Sequence, residues 1–209
     1  MQRTRTVLAG TVAATVSAAV VASVAAPAPA GAALVSPTAA TAATAAVSPV
    51  SAGEDPYPDR PDFRLPFGCD VKVLAQTYEG HDTTGKKIDM YRYGMTTGSP
   101  IRASADGVVH ELFAPGGLEI RHGEGWFTTY MHMTRRVKAG TKVKRHQVIG
   151  YMSDVGAEGR PHLHYEQLYN PGHDDADNED MVNAIIQGRG PINMLDETPI
   201  ENWTSTNCV

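Results

Sequence analysis

Basic stripes, leucine-rich spans, heptads and internal repeats are all missing from this sequence. Among its 209 residues are two cysteines, four phenylalanines and two tryptophans, and 18 Lys and Arg stand against 23 Asp and Glu. The net charge of −5, with no clustered basic residues, argues against nucleic acid as a partner. Without heptads or repeats there is no basis for a coiled coil or a solenoid. The longest apolar run, Val7 to Ala26, is built from Ala, Val, Thr and Ser, so it is weakly hydrophobic beside a Leu-rich membrane span. It follows two arginines and no acid, and it ends near small-residue sites at Val24-Ala25-Ala26 and Ala26-Pro27-Ala28. Residues 1–26 therefore read as a secretory signal peptide, with no stable membrane association after cleavage. No cysteine follows to take a lipid, and Arg3 and Arg5 are not adjacent, which argues against a lipoprotein and a twin-arginine signal.

Beyond that run, the chain to about Ala52 is almost entirely Ala, Pro, Val, Thr and Ser, too poor in large apolar side chains to offset the entropy of ordering. Prolines at 56, 58, 61 and 66 forbid helix and favour an extended lead-in. Residues 27–66 are expected to be a disordered linker or removable leader, and residues 67–209 a single domain. The two cysteines, Cys69 and Cys208, stand at the ends of that domain, and in an exported chain such a pair forms a disulfide. Closing so long a loop would contribute about 4–5 kcal/mol in the chain-entropy account.

Short runs rich in Val, Ile, Thr and Tyr recur between Gly, Pro and Asp: Val71–Leu74, Ile88–Tyr93, Pro100–Ala103, Gly107–Phe113, Leu118–His122, Trp126–His132, Lys142–Val143, Val148–Tyr151 and His162–Leu168. That pattern predicts a mostly β fold, a compact antiparallel sheet domain of sandwich or open barrel-like form. Asp106-Gly107 and Gly116-Gly117 are candidate hairpin turns. The apolar spacing of Met181, Val182, Ile185 and Ile186 after an acidic start predicts a short helix over Glu179–Gln187.

The chemistry concentrates in Gly159-Arg-Pro-His-Leu-His-Tyr-Glu-Gln-Leu168. On a strand, His162 and His164 lie two apart and project from one face, so both imidazoles can converge on one metal or substrate. An isolated pair of this kind is more often a surface or core feature, and its context decides. Upstream, His81 precedes a Thr-Thr-Gly-Lys-Lys turn and the strand-like Ile88-Asp89-Met90. A loop histidine, a strand aspartate and one histidine of the later pair make a nitrogen, oxygen, nitrogen set suited to zinc with an open fourth position. In Thr128-Thr-Tyr-Met-His-Met133 alternation puts Thr128, Tyr130 and His132 on one face, from which His132 can reach the same cleft.

From His81 to Leu168 the chain resembles the lysostaphin-type zinc endopeptidases, which include glycylglycine and β-lytic endopeptidases. The resemblance rests on a His and a later Asp, Gly98-Ser-Pro-Ile-Arg-Ala-Ser-Ala-Asp-Gly-Val-Val109, a Tyr-x-His, a Gly-x-x-Val and Pro161-His-Leu-His-Tyr-Glu166, in that order. It implies that His81, Asp89 and His164 hold Zn2+ and that His132 and His162 are the catalytic histidines around the attacking water. It further implies a secreted, cell-wall-associated metalloendopeptidase acting on peptide bonds of peptidoglycan, working as a monomer. Tyr78 and Tyr130 are candidates for an oxyanion hydrogen bond.

The seven-residue gap from His81 to Asp89 is longer than in many members and similar to the β-lytic branch, with Asp82 as the alternative ligand. His146 stands where a turn glycine is common and reads as a turn residue; His122 matches a structural histidine, and His110 and His173 read as solvent-facing. The acids at 174, 175, 177, 179 and 180 lack EF-hand spacing and read as a solvated loop. Two rivals use the same residues. One is a non-catalytic wall-binding or regulatory module of the same fold, although every expected position is filled. The other is a cupin-like metal protein, although Glu166 stands only two residues after His164.

Overall fold

The computed structural model describes residues 55–209 apart from residues 79, 82, 95, 96 and 198. The expected signal peptide, the linker up to residue 54 and the alternative ligand Asp82 lie outside the described residues.

In chain order the strands are β1 Lys72–Gln76, β2 Ile88–Arg92, β3 Pro100–Arg102, β4 Gly107–Phe113, β5 Gly117–Gly123, β6 Trp126–Met131, β7 Met133–Thr134, β8 Lys142–Val143, β9 Val148–Met152, β10 Leu163–Tyr169, β11 Met181–Val182, β12 Ala184–Ile186, β13 Arg189–Ile192 and β14 Ile200–Thr204. One helical turn, α1, spans Met194–Glu197. The main sheet runs β14-β1-β2-β10-β6-β5-β4-β8, with β11 added against β10; β3-β9-β7 and β12-β13 form two smaller sheets. These pairings are antiparallel, and the main sheet stays open and does not close into a barrel. None of the helical segments among the described residues is long and apolar enough to cross a membrane.

Alternation along β2, β10, β6 and β5 divides the sheet into two faces. Ile88, Met90, Leu163, Tyr165, Tyr130, Leu118 and Ile120 belong to the main hydrophobic core. Asp89, His164, Glu166, Thr129 and Glu119 occupy the intervening positions, on the other face. Both faces are covered at the centre, which is why β6 and β10 are buried along nearly their whole length. The inner face also carries a hydroxyl chain in which Tyr130 Oη lies 2.7 Å from Ser104 Oγ, and Ser104 Oγ lies 3.2 Å from Tyr165 Oη.

The packed body begins before the expected boundary at residue 67. Phe63 is 1% and Leu65 0% exposed, and the Arg60 guanidinium donates to Gln167 Oε1 at 2.6 Å, pairs with Asp55 at 2.6 Å and sits 4.1 Å from the Trp126 ring centre. The prolines do keep this stretch out of helix, but Tyr57, Arg60, Phe63 and Leu65 supply the side chains that dock it. Cys69 and Cys208 are joined by a disulfide with a Cα–Cα distance of 4.7 Å.

The expected helix over 179–187 is absent. A single 3-10 turn at Asn178–Asp180, capped by Asp177, leads instead into β11 and β12. The apolar residues at 181, 182, 184 and 186 go to separate contacts, Val182 to the Trp126 cluster and Ala184 and Ile186 to the main core. Asp106-Gly107 opens β4 and does not form a hairpin, whereas Gly116-Gly117 closes the β4–β5 hairpin at Phe113↔Gly117.

Candidate functional site

The antiparallel register puts Gln76, Asp89, His164 and Met131 in one row across β1, β2, β10 and β6. His81 approaches that row from the β1–β2 connection. His81 Nε2 lies 3.0 Å from His164 Nδ1 and 3.4 Å from Asp89 Oδ1, and His164 Nδ1 lies 3.1 Å from Asp89 Oδ1. Four-coordinate zinc with bonds of about 2.0–2.1 Å separates its ligand atoms by about 3.3 Å, so this triangle has the edge length that such an ion requires. These three residues are the only group of His, Cys, Asp and Glu among the described residues whose atoms converge in this way.

The surroundings call for a cation. Asp89 is fully buried, and its Oδ2 has no hydrogen-bond partner. Burial opposes its ionisation, yet hydrogen bonds from His162 and His164 outweigh this and hold the carboxyl below the usual range. Burial likewise opposes a charge on His164, but Asp89 on one nitrogen and Glu166 on the other push it up to about 9. A ring flanked by two carboxylates favours positive charge, and a divalent ion on Nδ1 would supply it. His164 Nε2 donates to Glu166 Oε1 at 2.8 Å, which fixes the tautomer with Nδ1 free for a metal.

His132 and His162 flank this triangle, with ring centres 4.5 Å apart. Each donates its Nδ1 hydrogen to a backbone carbonyl, His132 to Val155 at 2.8 Å and His162 to Arg160 at 2.7 Å. Both therefore turn Nε2 away from the backbone, and His162 Nε2 lies 3.4 Å from Asp89 Oδ1. Burial, with His162 and His164 beside it, holds His132 below the usual imidazole range.

The expectation that His132 shares a face with Tyr130 does not hold. Strand β6 ends at Met131, and His132 adopts φ 61°, which breaks the alternation where the chain leaves the main sheet for β7. The Ser153 amide and hydroxyl both donate to the His132 carbonyl, at 2.8 and 2.7 Å, and hold this corner. Tyr130 faces the core, fully buried on Ser104, so it cannot reach an oxyanion. Tyr78 stays at the site, stacked on His81 with ring centres 4.6 Å apart.

Tyr78, His81, His132, His162, His164 and Glu166 line one cleft of about 450 Å³. Residues 87–178 match the model of Peptidase family M23. Over that segment the chain is similar to peptidase family M23. Asp89, His132, His162 and His164 fall inside the matched M23 segment, and His81 lies six residues before it. The chain is 38% identical over 109 residues to the DD-carboxypeptidase/endopeptidase Mpg of Neisseria meningitidis, covering 50% of this chain and 24% of that protein. It is 41% identical over 101 residues to the peptidoglycan DD-endopeptidase ShyC of Vibrio cholerae, covering 44% of this chain and 23% of that one. The chain thus spans about a quarter of the length of these relatives. Among solved structures, the catalytic domain of lysostaphin from Staphylococcus simulans aligns at TM-score 0.41 and 23% identity, over 57% of this chain and 83% of that one.

Two residues of the cleft went unrecognised in the sequence. Tyr91 stacks on His162 with ring centres 5.0 Å apart, and it could have been found, because it stands two residues after Asp89 on the same strand. Glu119 gives no local signal, since only cross-strand register brings it to the cleft. His146, expected in a turn, has φ 72°. His122 binds the Asp106 carbonyl and the Thr128 hydroxyl, each at 2.7 Å, and burial pushes it down to about 4.

Proposed function

We propose that this chain is a secreted zinc metalloendopeptidase that hydrolyses peptide bonds in peptidoglycan stem peptides or cross-bridges. The observation that carries this reading is the convergence of His81 Nε2, Asp89 Oδ1 and His164 Nδ1 within 3.4 Å of one another. Two histidines and one carboxylate suit zinc, whereas calcium takes more oxygen ligands. Bound there, zinc would polarise the scissile carbonyl and bring the pKa of the attacking water toward neutrality.

The other steps fall to the chain's own residues. Asp89, His81 and His164 orient the site, and Glu166 keeps the His164 Nε2 hydrogen away from it. Of His132 and His162, one accepts the water's proton at Nε2 and returns it to the departing amine; the other, protonated, donates to the tetrahedral oxyanion. Their Nδ1 bonds to backbone carbonyls hold both rings for that exchange. The relatives named as endopeptidases of peptidoglycan support the substrate class, and the Cys69–Cys208 disulfide suits an oxidising compartment outside the cytoplasm.

Purified cell walls of several chemotypes, digested with the metal-loaded protein and sequenced for new amino termini, test the reading and identify the bond. Release of new amino termini that stops when the metal is removed is expected. Intact walls in every case would refute it.

A further inference from the structure

Next to the metal row, register sets Glu166, Thr129, Glu119 and Glu111 side by side across β10, β6, β5 and β4. At the metal end this row is neutralised: Glu166 accepts from His164, and Lys87 Nζ lies 3.9 Å from it. Glu119 is different. It is 3% exposed, its Oε1 has no hydrogen-bond partner, and it lines the same cleft as His132, His162 and His164.

A buried carboxyl with an unpartnered oxygen is costly to keep, and a fold tolerates one where something arriving from solvent will satisfy it. Glu111, exposed and directly opposite on the neighbouring strand, adds a second carboxylate to the same wall. The basic side chains lining the cleft are Lys87 and Arg160, together with the histidines. Lys87 pairs with Glu166, and Arg160 stands over Tyr78.

We propose that Glu119, with Glu111 beside it, forms a subsite for a primary ammonium group on the peptide substrate, either the side-chain amine of a diamino acid or the free amino terminus of a short bridge. This rests on the cleft being a peptide-hydrolysing site and names the chemistry that it selects. Two carboxyls on adjacent strands offer too few oxygens for calcium, but match the three donors of an ammonium. Glu119 stands two strand spacings from Glu166, about 10 Å, which a long side chain within a residue or two of the scissile bond can span. Burial, with Glu111 nearby, pushes the Glu119 carboxyl up to about 8, so near neutrality it holds a proton that an arriving ammonium displaces.

The test uses the full chain labelled with 13C at glutamate carboxyls and titrated with four probes: Nα-acetyl-lysine amide, glycylglycine amide and the fully acetylated form of each. An amine-bearing probe is expected to shift the Glu119 carboxyl signal and to bind about tenfold more tightly than its acetylated form. Whichever of the two amines binds better identifies the source. Glu119→Gln should abolish the preference and Glu111→Gln, on an exposed position that does not threaten folding, should reduce it about threefold. Equal binding of amine and acetylated probes, or a preference unchanged in Glu111→Gln and in any folded Glu119→Gln protein, would overturn the proposal. Because binding is the readout, amine selectivity in a protein that leaves walls intact would count against the peptidase reading alone.

Discussion

His164 and Glu166 stand two residues apart on one strand, and the carboxylate accepts the Nε2 hydrogen of the imidazole at 2.8 Å, leaving Nδ1 to face Asp89 at 3.1 Å. A histidine held in one tautomer binds metal better than one free to choose. Glu166→Ala should therefore weaken metal binding about 10- to 100-fold, whereas Glu166→Gln, which keeps an acceptor oxygen, should lose much less. Competition with a chelator of known affinity measures both. Equal losses in the two variants would mean that charge and not the hydrogen bond is what Glu166 supplies.

Arg60, paired with Asp55 inside the segment before residue 67, ties that segment to the domain through Gln167 and Trp126. Arg60→Ala removes a charge-assisted hydrogen bond and a cation–π contact, and should cost about 2 kcal/mol. Urea unfolding checks this. A midpoint equal to wild type would show that the segment docks without stabilising the fold.

Glu119 makes stability depend on pH in a defined direction. Its carboxyl lies at about 8 in the folded protein against an ordinary 4.5, so the folded state favours the protonated form. That contribution is complete below about 4.5 and is lost as pH rises through about 8. Glu119→Gln stays neutral throughout, so its melting temperature relative to wild type should rise between pH 5 and pH 9, by about 3 °C or more. A difference independent of pH would place the wild-type carboxyl near its ordinary value.

The disulfide closes a sequence separation of 139 residues between the two ends of the domain. Replacing both cysteines with serine should cost about 2–5 kcal/mol, read from denaturant unfolding of the purified protein. Thiol titration of the denatured, unreduced wild type should find essentially no free thiol.

How far the sequence could be read depends on the range of the interactions. Strands β2, β4, β6 and β10 were legible because alternation and β-branched residues mark them locally, and His162 and His164 because a two-residue step fixes their shared face. The side to which His132 turns was not legible. It depends on a left-handed backbone at a corner between two sheets, held by Ser153 just beyond the end of β9. The helix expected over 179–187 failed because a short apolar run fits either period, and Trp126 and the main core draw its residues into separate short strands. Glu119 was invisible for the same kind of reason, since its meaning comes from Thr129 and Glu111 on neighbouring strands.

The most direct test of the metallopeptidase reading measures bound zinc and wall hydrolysis together in three variants. His164→Ala removes one of three ligands and should lose both metal and activity. His132→Ala and His162→Ala should retain most of the zinc while activity falls about a hundredfold or more, because they remove a proton carrier or an oxyanion donor and leave the ligand triangle intact. Zinc retained in His164→Ala but lost in His162→Ala would contradict this assignment and exchange the two histidines' roles.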